Sequence, residues 1–111
     1  MIEQVRPAGL DAWLKAQDVP AVVLDVREPG ELRQASVQAQ GFELLTIPMN
    51  AVPARLAELD PDRPVAVLCH HGARSQHIAM FLERNGFSRV ANIAGGIEAW
   101  ALERDRDVPR Y

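Results

Sequence analysis

Short continuous apolar runs alternate along this chain with stretches of helical period. Residues 21–26, Ala-Val-Val-Leu-Asp-Val, read as a strand of the kind buried on both faces of a parallel sheet. Residues 65–68, Val-Ala-Val-Leu, form a second such run and predict the central strand. Residues 2–5, 44–47 and 89–93 predict three more strands. Between these runs, residues 7–16 carry Leu10, Trp13 and Leu14 at helical spacing, and Pro7 suits a first helical turn. Residues 31–35 predict a short helix behind the break Arg27-Glu28-Pro29-Gly30. Residues 52–59 predict a helix with Leu56 and Leu59 inward, followed by a turn over residues 60–64. Residues 75–85 predict a helix that Gly86 stops, with Ser75 as its N-cap. Residues 97–103 predict a last helix, entered through Gly95-Gly96. The polar tail, residues 104–111, predicts irregular structure. Trp13 and Trp100 are expected in the core.

Strands alternating with helices predict an α/β fold: a mainly parallel five-stranded sheet with helices on both faces, in one domain spanning residues 1–111. Functional loops in such sheets lie beyond the carboxyl ends of the strands. Cys69 follows one strand end, and Asp25-Val26-Arg27 occupies another.

Composition adds exclusions. At 48% hydrophobic and 24% charged, the 111 residues suit a globular protein. The net charge of −3, without a long basic run, argues against nucleic-acid binding. No apolar stretch is long enough for a membrane span, and the first residues show no signal-peptide pattern. A single cysteine excludes an internal disulfide and predicts a reducing, cytoplasmic location. The three histidines, His70, His71 and His77, all fall within eight positions of Cys69, so the surroundings of the thiol are more basic than the chain average. No carboxylate lies near them in sequence, so they do not predict a metal site.

Cys69 opens the loop Cys69-His70-His71-Gly72-Ala73-Arg74-Ser75 between a strand and a helix. This arrangement makes a thiolate reactive. Inward N–H groups of residues 70–75 and the helix N-terminus favour negative charge on sulfur and are expected to lower the cysteine pKa. The same groups can neutralise a bound anion. Gly72 permits a backbone angle that other residues resist. Arg74 can brace the loop or offer a fork of donors to an oxyanion. His70 and His71 are candidates for substrate contact. His77, one turn further on, is expected to face solvent.

Asp25-Val26-Arg27-Glu28-Pro29, the loop Cys69-x-x-Gly72-x-Arg74-Ser75 and Asn92-Ile93-Ala94-Gly95-Gly96-Ile97-Glu98-Ala99-Trp100 occur in that order. Together they resemble a single-domain rhodanese, a thiosulfate sulfurtransferase. The resemblance covers about residues 21–101. It implies Cys69 as the nucleophile carrying a persulfide, and a substrate cradle of His70, His71, Gly72, Ala73, Arg74 and Ser75. It also implies structural support from Asp25, Arg27, Gly95 and Gly96. The reaction implied needs no cofactor. Its partners would be thiosulfate as donor and a thiol, cyanide or protein cysteine as acceptor. Rhodanese-type loops have four residues between Cys and Arg, as here, whereas related cell-division-cycle phosphatases and arsenate reductases have five. Arg74 and the histidines favour thiosulfate over mercaptopyruvate. A sulfur relay fed by a partner protein stands beside the enzyme reading, as does an arsenate reductase or phosphatase on the same scaffold. The chain departs from the family at residues 34–42, where many members carry a His-Ile-Pro-Gly-Ala-type stretch.

Overall fold

The computed structural model describes residues 2–111. Among these are five strands: β1 (Glu3–Val5), β2 (Val22–Asp25), β3 (Glu43–Thr46), β4 (Val65–Leu68) and β5 (Val90–Ile93). They form one sheet in the order β1-β5-β4-β2-β3, and every pairing is parallel. The helices are α1 (Leu10–Lys15), α2 (Pro29–Gln34), α3 (Ala73–Arg84) and α4 (Gly96–Glu103). The expected α/β architecture is therefore present.

The sheet has a core on each face because successive strand residues point to opposite sides. Val23, Ala66, Leu68, Ala91 and Ile93 face one cluster, closed by Leu10 and Trp13 of α1 and by Ile97 and Trp100 of α4. Val22, Leu24, Val65 and Val67 face the other, closed by Ile78, Ala79 and Leu82 of α3 and by Val52 and Leu59. Trp13 and Trp100 are both buried, as expected. The atypical segment 34–42 also enters the core. Ala35, Val37 and Phe42 are buried, and Phe42 meets Trp100 edge-on at 6.0 Å.

Two predicted helices are corrected. Residues 7–16 split into a 3-10 turn, Pro7–Gly9, and then α1. Gly9, with φ −97° and ψ 1°, leaves the helical geometry there and divides the two segments. Residues 52–59 are not a helix. The connection holds two 3-10 turns, Met49–Ala51 and Leu56–Glu58. Pro53 has no N–H to bond the Met49 carbonyl, and that carbonyl takes the Val52 N–H instead, closing a tighter turn. Leu59 still packs inward, while Leu56 is only partly buried. Pro29 and Gly30 lie inside α2 rather than before it, because proline fits a first helical turn. No helix among the described residues is long and apolar enough to cross a membrane.

Candidate active site

The carboxyl end of β4, in the middle of the sheet, delivers Cys69 to a loop held by two helix N-termini. The residue is 1% exposed. The loop turns at Gly72, whose φ of 111° is open to glycine and strained for any L side chain. That turn aims the Gly72 N–H at Cys69 Sγ, 3.0 Å away. α3 begins immediately afterwards. The N–H groups of Ala73, Arg74 and Ser75 form its first turn and have no acceptor within the helix. Such a terminus is suited to an anion. From the other side, Ile97 and Glu98 in the first turn of α4 donate to the carbonyls of Cys69 and His70 at 2.9 and 3.2 Å. Gly96 packs so closely on those carbonyls that a Cβ there would lie 2.3 Å from the His70 oxygen. Gly95 and Gly96 thus bring α4 against the thiol loop.

Ser75 is not the N-cap. The helix starts at Ala73 with Gly72 as its cap residue, so Ser75 sits in the first turn, fully buried. Its hydroxyl oxygen lies 3.2 Å from Cys69 Sγ and donates to Asn92 Oδ1. The Gly72 turn tightens the loop by two residues relative to the expected boundary, which leaves Ser75 facing the sulfur instead of the helix end.

Arg74 is committed to Glu31 of α2. Nη1 and Nη2 reach Oε1 and Oε2 at 2.6 and 2.8 Å, a bidentate pair. The Glu28 N–H and the Tyr111 hydroxyl donate to the same carboxylate at 3.0 and 2.7 Å. Glu31 therefore receives four donors, and the Arg74 hydrogen bonds chiefly hold its carboxyl at about 2. Glu31 in turn raises Arg74 further above its usual range. Asp25 and Arg27 form a second ion pair, fully buried, with Nε–Oδ1 at 2.9 Å and Nη2–Oδ2 at 2.8 Å. Arg27 Nη1 extends to the Tyr111 hydroxyl at 3.1 Å, which links the two pairs.

His71 is exposed, and its ring stacks on His70 with centroids 3.9 Å apart. His70 is covered on its other side by Tyr111, also at 3.9 Å. His77 is exposed on α3. Among the described residues, no three His, Cys, Asp or Glu side chains gather into a group that could hold a metal ion.

Sequence reasoning missed four neighbours of the loop: Gln4, Glu31, Asn92 and Tyr111. Asn92 left a signal, as the one polar residue in the strand Val-Ala-Asn-Ile. Glu31 left a weaker one, three residues after Glu28 at the start of a helix. Tyr111 left none, because an irregular polar tail does not say where its end folds back.

The Glu31 geometry predicts an acid-dependent loss of stability. Protonating this carboxyl costs the folded state more than the unfolded chain. Its contribution is present above the usual value of 4.5 and is lost as the pH falls toward about 2. The pair is partly exposed, so screening leaves roughly 1 kcal/mol. Glu31→Gln should melt lower than the wild type at neutral pH. The difference in melting temperature should shrink on acidification through that window, and a pH-independent difference would refute the ionic origin.

A model of the rhodanese-like domain matches residues 7–103 of the chain. The chain is 34% identical over 101 residues to a sulfurtransferase from Allochromatium vinosum, covering 91% of this chain and 90% of that protein. It is 38% identical over 93 residues to rhodanese-like/PpiC domain-containing protein 12 of Arabidopsis thaliana, covering 82% of this chain and 30% of that longer protein. Its structure is similar to that of a rhodanese-related protein from Thermoplasma volcanium, with a TM-score of 0.76, 32% identity and coverage of 92% and 93%. A rhodanese-like domain protein from Staphylococcus aureus shares the fold, with a TM-score of 0.77, 24% identity and 99% of both chains covered. With the thiol loop at the central strand and the family model spanning nearly all of it, the chain belongs to the rhodanese-like domain family.

Proposed function

We propose that the protein is a sulfurtransferase that takes sulfane sulfur from thiosulfate. The observation that carries this reading is Cys69 at the end of β4, with the Gly72 N–H on its sulfur and the N-terminus of α3 behind it. The Cys69 thiolate attacks the outer sulfur of thiosulfate. An S–S bond forms between them, and sulfite leaves with the electron pair of the old S–S bond. Cys69 then carries a persulfide. A second nucleophile, cyanide in an assay and a thiol or protein cysteine in the cell, takes the outer sulfur and returns the Cys69 thiolate. Electrons balance without a metal or other cofactor.

In this reading the free N–H groups of the first turn of α3, with His71 at the loop surface, meet the dianionic donor. Arg74 contributes by holding the loop against α2 through Glu31, and its positive charge remains near the sulfur. The four-residue spacing between Cys69 and Arg74 supports attack on two-coordinate sulfur over a tetrahedral phosphate or arsenate. A lone unpaired thiol fits a reducing compartment, and we read the location as cytoplasmic.

Incubation with thiosulfate followed by intact-mass measurement tests the first half-reaction. We expect a gain of one sulfur atom per chain, and steady-state thiocyanate formation once cyanide is added. No mass gain would refute thiosulfate as donor. Loading without turnover would move the reading to a relay that passes sulfur between proteins.

A further inference from the structure

The hydrogen bonds behind Cys69 fix where one proton sits. Asn92, 4% exposed on β5, directs its Nδ2 hydrogens to Gln4 Oε1 at 2.9 Å and to the Gly72 carbonyl at 3.2 Å. A backbone carbonyl can only accept. The amide is therefore turned with Oδ1 toward Ser75, and Oδ1 can also only accept. The Ser75 hydroxyl has one proton, and it is donated to Asn92. Toward Cys69, 3.2 Å away, the Ser75 oxygen is left as an acceptor. The chain of donors is complete for a thiol: S–H to Oγ, then O–H to Oδ1. For a thiolate, which needs donors, it leaves the Gly72 N–H on Sγ and withholds the Ser75 hydroxyl. All three side chains are buried, so water does not make up the difference.

We infer that Asn92 is a positioning residue that holds the Ser75 proton away from Cys69 and so restrains the sulfur from becoming the nucleophile. The inference rests on the reading of Cys69 as that nucleophile. When the thiol gives its proton to a base in solvent, rotation about the Ser75 Cβ–Oγ bond brings the hydroxyl proton onto Sγ. Asn92 Oδ1 loses its donor in exchange, and no other bond is made or broken. Gln4 and Gly72 hold the amide, so it cannot turn to offer Nδ2 instead. Once the persulfide forms, charge resides on the outer sulfur and the Ser75 proton is free to return to Asn92.

Charged and titratable groups surround the loop on every side. They are Arg74 with Glu31, Asp25 with Arg27, His70 and His71 on the loop, Glu98 with Arg110 on the α4 side, and Tyr111 from the tail. None of them hydrogen-bonds to Ser75 or Asn92, and all are retained in the variants below.

The test reads the thiolate by its ultraviolet absorbance, with Cys69→Ser as the blank, at the pH where the wild type is half ionised. Asn92→Ala should raise the thiolate-to-thiol ratio about tenfold, because the Ser75 proton no longer has a competing acceptor. In a Ser75→Ala background the same substitution should change nothing, since Asn92 acts only through that hydroxyl. No rise in Asn92→Ala, or a rise that persists without Ser75, would overturn the inference. A measurement on the unmodified protein guards against a variant that fails to fold. The side-chain amide resonances of Asn92 should shift with the same midpoint as the thiolate absorbance, and static resonances would overturn the inference as well. Neither readout uses a sulfur donor, so their failure is separable from failure of the thiosulfate experiment.

Discussion

Cys69→Ser is expected to abolish sulfur transfer while leaving the fold intact. A serine oxygen cannot form a persulfide, and the chain has no second cysteine to take over. The fold should tolerate the change because serine nearly matches the volume and the site already offers a donor. The Gly72 N–H that points at Sγ can point at a hydroxyl, and the Ser75 hydroxyl, itself held by Asn92, remains to bond it. A change in stability of about 1 kcal/mol or less follows from exchanging one hydrogen-bonding group for another. Circular dichroism, intact mass after thiosulfate and thiosulfate:cyanide turnover would be measured on the same preparation. Folded protein that still turns over would remove Cys69 from the mechanism and with it the sulfurtransferase reading.

Gly96→Ala is expected to damage the site from a distance. The new Cβ would lie 2.3 Å from the His70 carbonyl oxygen and 2.5 Å from that of Cys69. Both neighbours are backbone, so no side-chain rotation relieves the contact. Those carbonyls also accept the N–H bonds of Ile97 and Glu98, and separating the chains lengthens both. The φ of 59° adds about 1 kcal/mol for any residue with a Cβ. Overpacking of this kind costs roughly 1–3 kcal/mol more. The loop therefore moves, and turnover should fall more than about tenfold, since small misplacements near a nucleophile cost that much or more. Gly86→Ala is the control. It shares a positive φ but meets nothing within 4 Å, so it should lose a little stability and no activity. Equal turnover in the two variants would show that the approach of α4 does not shape the thiol loop.

Two of the inner strands, β2 and β4, were legible because they are buried at every position and so read as apolar runs, broken only by Asp25 at the end of β2. Val65–Leu68 is fully buried at every position, and the thiol follows directly from its end. Residues 52–59 misled because their apolar spacing is helical while the Glu58 and Leu59 N–H groups bond three residues back, to the Arg55 and Leu56 carbonyls, in the tighter 3-10 pattern. Ser75 misled because its type suits an N-cap, and nothing local says that Gly72 starts the helix two residues before the expected boundary. The second layer of the site was hidden for a different reason. Arg74 meets Glu31 across 43 residues, and Tyr111 meets Glu31 across 80. Such pairs are created by the sheet topology, which places the end of β2, the end of β4 and the tail side by side. Periodicity reports which face a residue turns inward, not what it meets there.

The position of β1 at the edge of the sheet sets an order of events during folding. β1 pairs with β5, so the first strand must wait for one of the last before it is held. β2 and β3, by contrast, are neighbours in both sequence and space. Closing so long a loop carries an entropic cost before any contact returns it, and pairings of this kind form slowly. Gln4 rides on β1 and holds the Asn92 amide from 88 residues away. The polar support of Cys69 is therefore completed only when the chain's beginning is captured by its end. A nascent or partly unfolded chain exposes the cysteine without the bonds that restrain it, and the finished sheet is what brings its sulfur under control.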